Sequence, residues 1–185
     1  MKELYHGSIS LFDTIDLRAG KGYKDFGKGF YATAVASHAE KLAKRNKEIA
    51  VRRRELLNTK NKSLSTAPII AYRYNLLFNE ETEKLSVKVF PSADTEWLRF
   101  IMMNRKCPDS AHEYDIVIGP TADAETTTII NEYFDELESS GYAEEICREV
   151  ISQLKPENLP KQYFFRTEEA LKTLMFNTVK RQVVG

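Results

Sequence analysis

The chain has 185 residues, 42% of them hydrophobic and 29% charged, which suits one globular domain and excludes a disordered or fibrous chain. Its 27 basic and 27 acidic residues cancel, so no global field draws it to nucleic acid or to an anionic membrane, and any such attraction has to be local. Two cysteines, Cys107 and Cys147, are too few and too far apart for a disulfide framework or a structural zinc site.

A soluble protein of the reducing cytoplasm is therefore expected. The first residues hold no apolar core of signal-peptide length, and no run approaches the roughly 18 apolar residues of a membrane span. The chain opens with Leu4-Tyr5-His6-Gly7-Ser8, a short strand ending where the backbone must bend. Residues 9–24, with Asp13, Asp16, Gly20 and Gly22, read as turn and loop. They lead into Asp25-Phe26-Gly27-Lys28-Gly29-Phe30-Tyr31-Ala32-Thr33, where two glycines free the backbone for a sharp turn or a close approach and an aromatic, β-prone segment follows. This stretch reads either as a loop presenting its backbone to a small molecule while Tyr31 stacks on it, or as a hairpin with a core tyrosine.

After Thr33 the pattern turns helical. Ser37-His38-Ala39-Glu40 has the form of a capping box, and Ala39, Leu42 and Ala43 follow at helical spacing. Lys44, Arg45, Lys47, Arg52, Arg53, Arg54, Lys60 and Lys62 make residues 44–62 the strongly basic stretch, a helical insert expected to be exposed. It serves either as a solvated face balanced by Glu40, Glu48 and Glu55 or as a contact surface for an acidic macromolecule. Alternation at Ile70, Tyr72, Tyr74 and Leu76, and again at Leu85, Val87 and Val89, predicts half-buried strands. Asp94 caps a helix carrying Trp97, Leu98, Phe100 and Ile101, with Trp97 in the core. Residues 114–120, Tyr-Asp-Ile-Val-Ile-Gly-Pro, form a buried strand whose Asp115 is an edge residue or a polar anchor.

Two helices are expected next, one with Ile129, Ile130, Tyr133, Phe134 and Leu137 on a face and one with Ile146, Val150, Ile151 and Leu154, separated by Gly141. Pro156 and Pro160 frame the exit from the second of them. Gln162-Tyr163-Phe164-Phe165-Arg166 is a strand, Thr167 caps a helix with Ala170, Leu171 and Leu174, and residues 179–184 close the chain as a strand. Mixed strands and helices without regular βαβ alternation indicate an α+β class and a single domain over residues 1–185.

Several chemistries are excluded on spacing. Asp25-Phe26-Gly27 matches the kinase metal-binding tripeptide, but no catalytic His-Arg-Asp precedes it. Gly27 and Gly29 belong neither to a Walker loop nor to a dinucleotide fingerprint. His6, His38 and His112 have no chelating spacing, so no metal is expected.

An ordered triple remains: Leu4-Tyr5-His6-Gly7-Ser8, Gly29-Phe30-Tyr31-Ala32-Thr33 and Gln162-Tyr163-Phe164-Phe165. In order, local context and rough spacing it resembles the diphtheria-toxin-like and poly-ADP-ribose-polymerase-like ADP-ribosyltransferases, whose motif is histidine, tyrosine and glutamate on three separated strands. It is similar also to an uncharacterised bacterial family of that superfamily that shares the Tyr-His-Gly-Ser start, the loop at residues 25–31, the Trp97 to Ile101 helix segment and residues 114–120.

The resemblance implies an α+β fold with a split, mixed and antiparallel sheet flanked by helices, and NAD as the substrate. It implies His6 on a ribose hydroxyl, the Gly7 backbone on the nicotinamide amide and Tyr31 against the nicotinamide ring, with Ser8, Gly27, Gly29, Phe30 and Thr33 completing the cofactor-binding set. Gln162 departs from the pattern: its neutral amide can bind the ribose 2′-hydroxyl but offers neither a base nor a full negative charge. The activity implied is transfer of mono-ADP-ribose to a protein or nucleic acid, as a toxin or defence effector with an antitoxin protein as partner. The alternatives are a noncatalytic NAD- or ADP-ribose-binding module or protein-interaction module, and an NAD glycohydrolase.

Overall fold

The structure is a computed structural model that describes residues 1–58, 67–154 and 159–185. Lys60, Lys62 and Pro156 of the sequence reading lie outside the described residues. Among the described residues there are seven β-strands, mixed but mostly antiparallel in their pairing, and six α-helices, so the α+β class holds. The chain divides into two compact units, residues 1–15, 32–80 and 173–185 in the first and residues 16–31 and 81–172 in the second.

The first unit is built on β1 (Lys2–Ser8), β3 (Ala71–Phe78) and β7 (Leu174–Val184), with the last two residues of β2 (Phe30–Thr33). β1 pairs antiparallel with β2 and with β3, and β3 pairs antiparallel with β7. Alternation puts Leu4, opposite Leu76, fully inside. The helix α1 (Ala36–Asn58) lies on this surface through small residues, Ala39 and Ala43, both buried. The approach is close at Gly7, where a Cβ would sit 2.0 Å from the Ala39 carbonyl oxygen. A second cluster stacks Phe12 on Tyr74 at 3.9 Å, and the Tyr74 hydroxyl donates to Ser10 O at 3.0 Å while accepting from Phe12 N at 2.9 Å.

The second unit pairs β4 (Val87–Val89) parallel with β5 (Ile116–Pro120), and β5 antiparallel with β6 (Lys161–Phe165). Helices α2 (Thr95–Arg105), α3 (Ala124–Glu132), α4 (Phe134–Ser139), α5 (Glu144–Gln153) and α6 (Glu168–Leu171) belong to it. Its core gathers Phe26, Phe90, Trp97, Ile101, Val117 and Phe164 among others. Trp97 is fully buried and its indole N–H donates to Pro120 O at 3.0 Å, which satisfies the polar end of a side chain otherwise in hydrocarbon. Asp94 caps α2 on Trp97 N, and Asp123 and Thr167 cap α3 and α6 in the same way.

Local signals mislead at three places. The helix α1 is already running at Ala36, so Ser37 lies inside its first turn. Glu40 does not close a capping box; its carboxylate accepts from Arg73 Nη1 at 2.6 Å. The expected single helix through residues 129–137 is two, broken at Tyr133 (φ −97°, ψ 7°), and the break still leaves both Ile130 and Leu137 buried. Leu174 does not continue a helix from Ala170: α6 ends after four residues and Leu174 enters β7 opposite Phe78. Spacing of apolar residues cannot separate a short helix followed by a strand from a longer helix. The strand expected to start at residue 179 is accordingly eleven residues long and begins at Leu174.

Within the basic stretch, residues 44–58 belong to α1, where Arg52 and Arg53 are exposed. Asp115 is a polar anchor: its carboxylate accepts from Ser86 N at 2.9 Å and from the Thr167 hydroxyl at 2.8 Å. No α-helix among the described residues is long and apolar enough to cross a membrane.

Candidate functional site

The loop of residues 16–31 enters the second unit with its backbone laced onto residues 104–112. Tyr23 N donates to Cys107 O at 2.9 Å and Lys28 N to Asp109 O at 2.8 Å. The two motif glycines are set by this packing. Gly27 has φ +90°, and a Cβ there would lie 2.2 Å from Ser110 Oγ; at Gly29 it would meet Phe164 and the Phe165 carbonyl, each at 2.5 Å. Both are buried, so the backbone freedom read from the sequence is spent on protein contacts.

Tyr31 ties the loop shut. Its hydroxyl donates to Gly27 O at 2.7 Å and accepts from Phe26 N at 3.1 Å, and its ring leans on Phe164 at 4.9 Å. Burial pushes the phenol well above its ordinary value; the hydrogen bond from Phe26 N opposes the shift and the Asp25 charge adds to it. His112 holds the same loop at Phe26. Its Nδ1 accepts from Tyr114 N at 3.1 Å, which leaves the proton on Nε2 to donate to Phe26 O at 2.9 Å. Burial pushes this imidazole below its ordinary value.

Gln162 is on β6 opposite Gly119, with its side chain on the same face as that of Phe164, and it is 8% exposed. Its Nε2 has two acceptors, Asp25 Oδ2 and Pro120 O, each at 3.4 Å. Asp25 is itself held: Oδ1 accepts from Arg105 Nε at 2.9 Å and lies 2.8 Å from Arg105 Nη2, and Oδ2 accepts from Ala122 N at 3.2 Å. The guanidinium reaches on to Thr127 Oγ1 at 3.2 Å. The side chains of Asp25 and Arg105 are 14% and 21% exposed, so the pair is mostly withdrawn from water. The carboxylate that position 162 lacks is thus present beside it, already neutralised by an arginine.

In the first unit His6 lies half-buried on β1, paired in register with Tyr74, its ring 5.8 Å edge-on from Phe12 and 6.4 Å from Tyr74. Gly7 follows under α1, where the helix itself demands glycine. Ser8 Oγ accepts from Ser10 N at 3.0 Å, and Thr33 Oγ1 accepts from Val35 N at 3.2 Å at the entry to α1. Of the residues singled out in the sequence, His6, Gly7, Ser8 and Thr33 therefore belong to the first unit, and Gly27, Gly29, Phe30, Tyr31 and Gln162 to the second. Within the second, Tyr31 bonds Gly27, Gly29 rests on Phe164, and Gln162 joins the network through Asp25.

Asp25, Arg105, His112 and Thr127 were given no role by the sequence. Asp25 opened the motif, but nothing local says that it meets Arg105, 80 positions away. An open depression of ≈ 470 Å³ in the second unit is lined by Ser86, Phe100, Ala111, His112, Glu113 and Tyr114; neither Tyr31 nor Gln162 lines it. Among the described residues, no group of three or more His, Cys, Asp or Glu could hold a metal ion.

No curated protein and no solved structure matches the chain. Residues 2–176 match the model of a family described as "Protein of unknown function (DUF3990)", and the chain belongs to that family.

Proposed function

We propose that the chain has an ADP-ribosyltransferase-like fold, binds NAD, and transfers mono-ADP-ribose to a protein or nucleic acid in the cytoplasm. The observation that carries the reading is that His6, Tyr31 and Gln162 are borne on three different strands, β1, β2 and β6, in the order that the resemblance requires. In the reaction the bond between nicotinamide nitrogen and ribose C1′ breaks with its electron pair going to nicotinamide. An acceptor heteroatom then gives a lone pair to C1′ and releases its proton. By the resemblance, His6 takes a ribose hydroxyl and the Gly7 backbone takes the nicotinamide amide. Tyr31, whose ring leans on Phe164, supplies the aromatic surface for the nicotinamide ring.

Gln162 Nε2 lies 3.4 Å from each of two acceptors, Asp25 Oδ2 and Pro120 O, and no described residue donates to its Oε1. That oxygen suits the 2′-hydroxyl as donor. Ser8, Gly27, Gly29, Phe30 and Thr33 support these contacts through the backbone positions they fix. An antitoxin protein that restrains the activity is the partner this reading implies.

A noncatalytic NAD- or ADP-ribose-binding module is the second reading. It is favoured by the pairing of Asp25 with Arg105, which leaves no uncompensated carboxylate beside Gln162 to stabilise a ribosyl cation. Incubation of pure protein with labelled NAD, with and without cell lysate, separates the readings. Label appearing on lysate macromolecules is the expected outcome, nicotinamide release without labelling means hydrolysis, and intact bound NAD means a module. Release no greater than from heat-killed protein overturns the enzyme assignment.

A further inference from the structure

We infer that Asp25, oriented by Arg105, is a positioning residue that sets the polarity of Gln162, so that position 162 meets its ligand as a hydrogen-bond acceptor for a sugar hydroxyl; this rests on the function proposed above. An amide can turn either end to its neighbours, and at most positions nothing in the backbone decides which. Here both neighbours of Nε2 are acceptors that cannot donate: Asp25 Oδ2 and the Pro120 carbonyl, each at 3.4 Å. The reversed amide would set oxygen against oxygen twice in a position that is 8% exposed, where unsatisfied groups are costly. Asp25 in turn cannot swing away, because Arg105 engages Oδ1 through Nε and Nη2 and Ala122 N engages Oδ2. The order of command runs from Arg105 to Asp25 to Gln162.

The same arrangement explains why position 162 carries glutamine and not the glutamate of the motif it resembles. A carboxylate there would face the Asp25 carboxylate and a carbonyl with no hydrogen to offer either. Glutamine is the side chain of that length that can donate to both and still present an oxygen to a ligand.

The test is a reversal of polarity. Gln162→Glu sets acceptor against acceptor. Asp25→Asn, whose oxygen stays with Arg105, sets its introduced amide nitrogen against both Gln162 Nε2 and Ala122 N, donor against donor. The double variant Asp25→Asn/Gln162→Glu restores one donor and one acceptor between the two positions, while the mismatches with Ala122 N and with the Pro120 carbonyl remain. Each single variant is expected to lower the melting temperature by about 4–8 °C, the scale of one lost buried bond in a chain of this size. The double variant is expected to melt above either single.

Nicotinamide release follows the same pattern: kcat/KM falls by about tenfold or more in Asp25→Asn and returns to within about threefold of wild type in the double. Additive melting losses overturn the inference. So does a double variant whose release is lower than that of both singles. If wild-type protein releases no nicotinamide, the proposed function fails while the melting cycle still decides the coupling. If the single variants do not fold, wild-type protein decides it: the side-chain amide protons of Gln162 should exchange slowly with solvent in NMR, and fast exchange refutes the arrangement.

Discussion

Replacing Tyr31 with phenylalanine keeps the ring and removes one oxygen, and the structure says what that oxygen does. It accepts from Phe26 N at 3.1 Å and donates to Gly27 O at 2.7 Å, both on buried residues. Without it a buried N–H loses its acceptor and a buried carbonyl loses a donor, each worth about 1–3 kcal/mol, so Tyr31→Phe should cost about 3 kcal/mol in all. For a chain of this size that lowers the melting temperature by about 6–12 °C. Thermal and urea unfolding read the loss, and hydrogen exchange at Phe26 N reads its location. The pH dependence has a definite sign. Burial raises the folded-state phenol above its unfolded value, so its contribution is complete below about pH 10 and fades as pH rises through the folded value. The gap between wild type and Tyr31→Phe should therefore be flat from neutral pH to about pH 9 and narrow above about pH 10. In NAD cleavage the retained ring should leave KM closer to wild type than Tyr31→Ala does. A Tyr31→Phe protein that melts within about 1 °C of wild type, or a gap that widens at alkaline pH, refutes the argument.

Gly7→Ala should lower the urea midpoint by an amount equivalent to about 1–3 kcal/mol, because the added Cβ meets the Ala39 carbonyl and α1 has to move away from β1; a neutral result contradicts that packing. Arg105→Ala strands the mostly buried Asp25 carboxylate and should cost about 3 kcal/mol, at the low end for a broken buried pair because both partners keep some contact with water; chemical denaturation measures it. His112 has a folded-state value below its unfolded one, so stability is complete above about pH 6.5 and declines as pH falls below it; a histidine-resolved NMR titration should show Nδ1 resisting protonation, and His112→Gln should flatten the decline between about pH 7 and pH 5.

What the sequence determined by itself is what depends on neighbours along the chain. The cap at Asp94, the strand expected over residues 114–120 and found at Ile116–Pro120, the buried Trp97 and the α+β class all follow from short-range signals: a carboxylate three residues before the amide it binds, a short apolar run, and a helical apolar face. The same signals failed where a distant partner outbid the local one. Glu40 had a capping position but found Arg73, and Leu174 had helical spacing but found Phe78 across a ladder. The glycines of the motif were legible as special and not as to why, since the atoms that exclude a Cβ at Gly7, Gly27 and Gly29 belong to Ala39, Ser110 and Phe164. Gln162 was legible as a departure from a pattern, but its meaning came from Asp25, 137 positions away, and from Arg105 behind it. Periodicity and capping act over a few residues, whereas the charge and hydrogen-bond state of a buried side chain is set by whatever the fold brings within about 3.5 Å of it, and that is a property of tertiary structure alone.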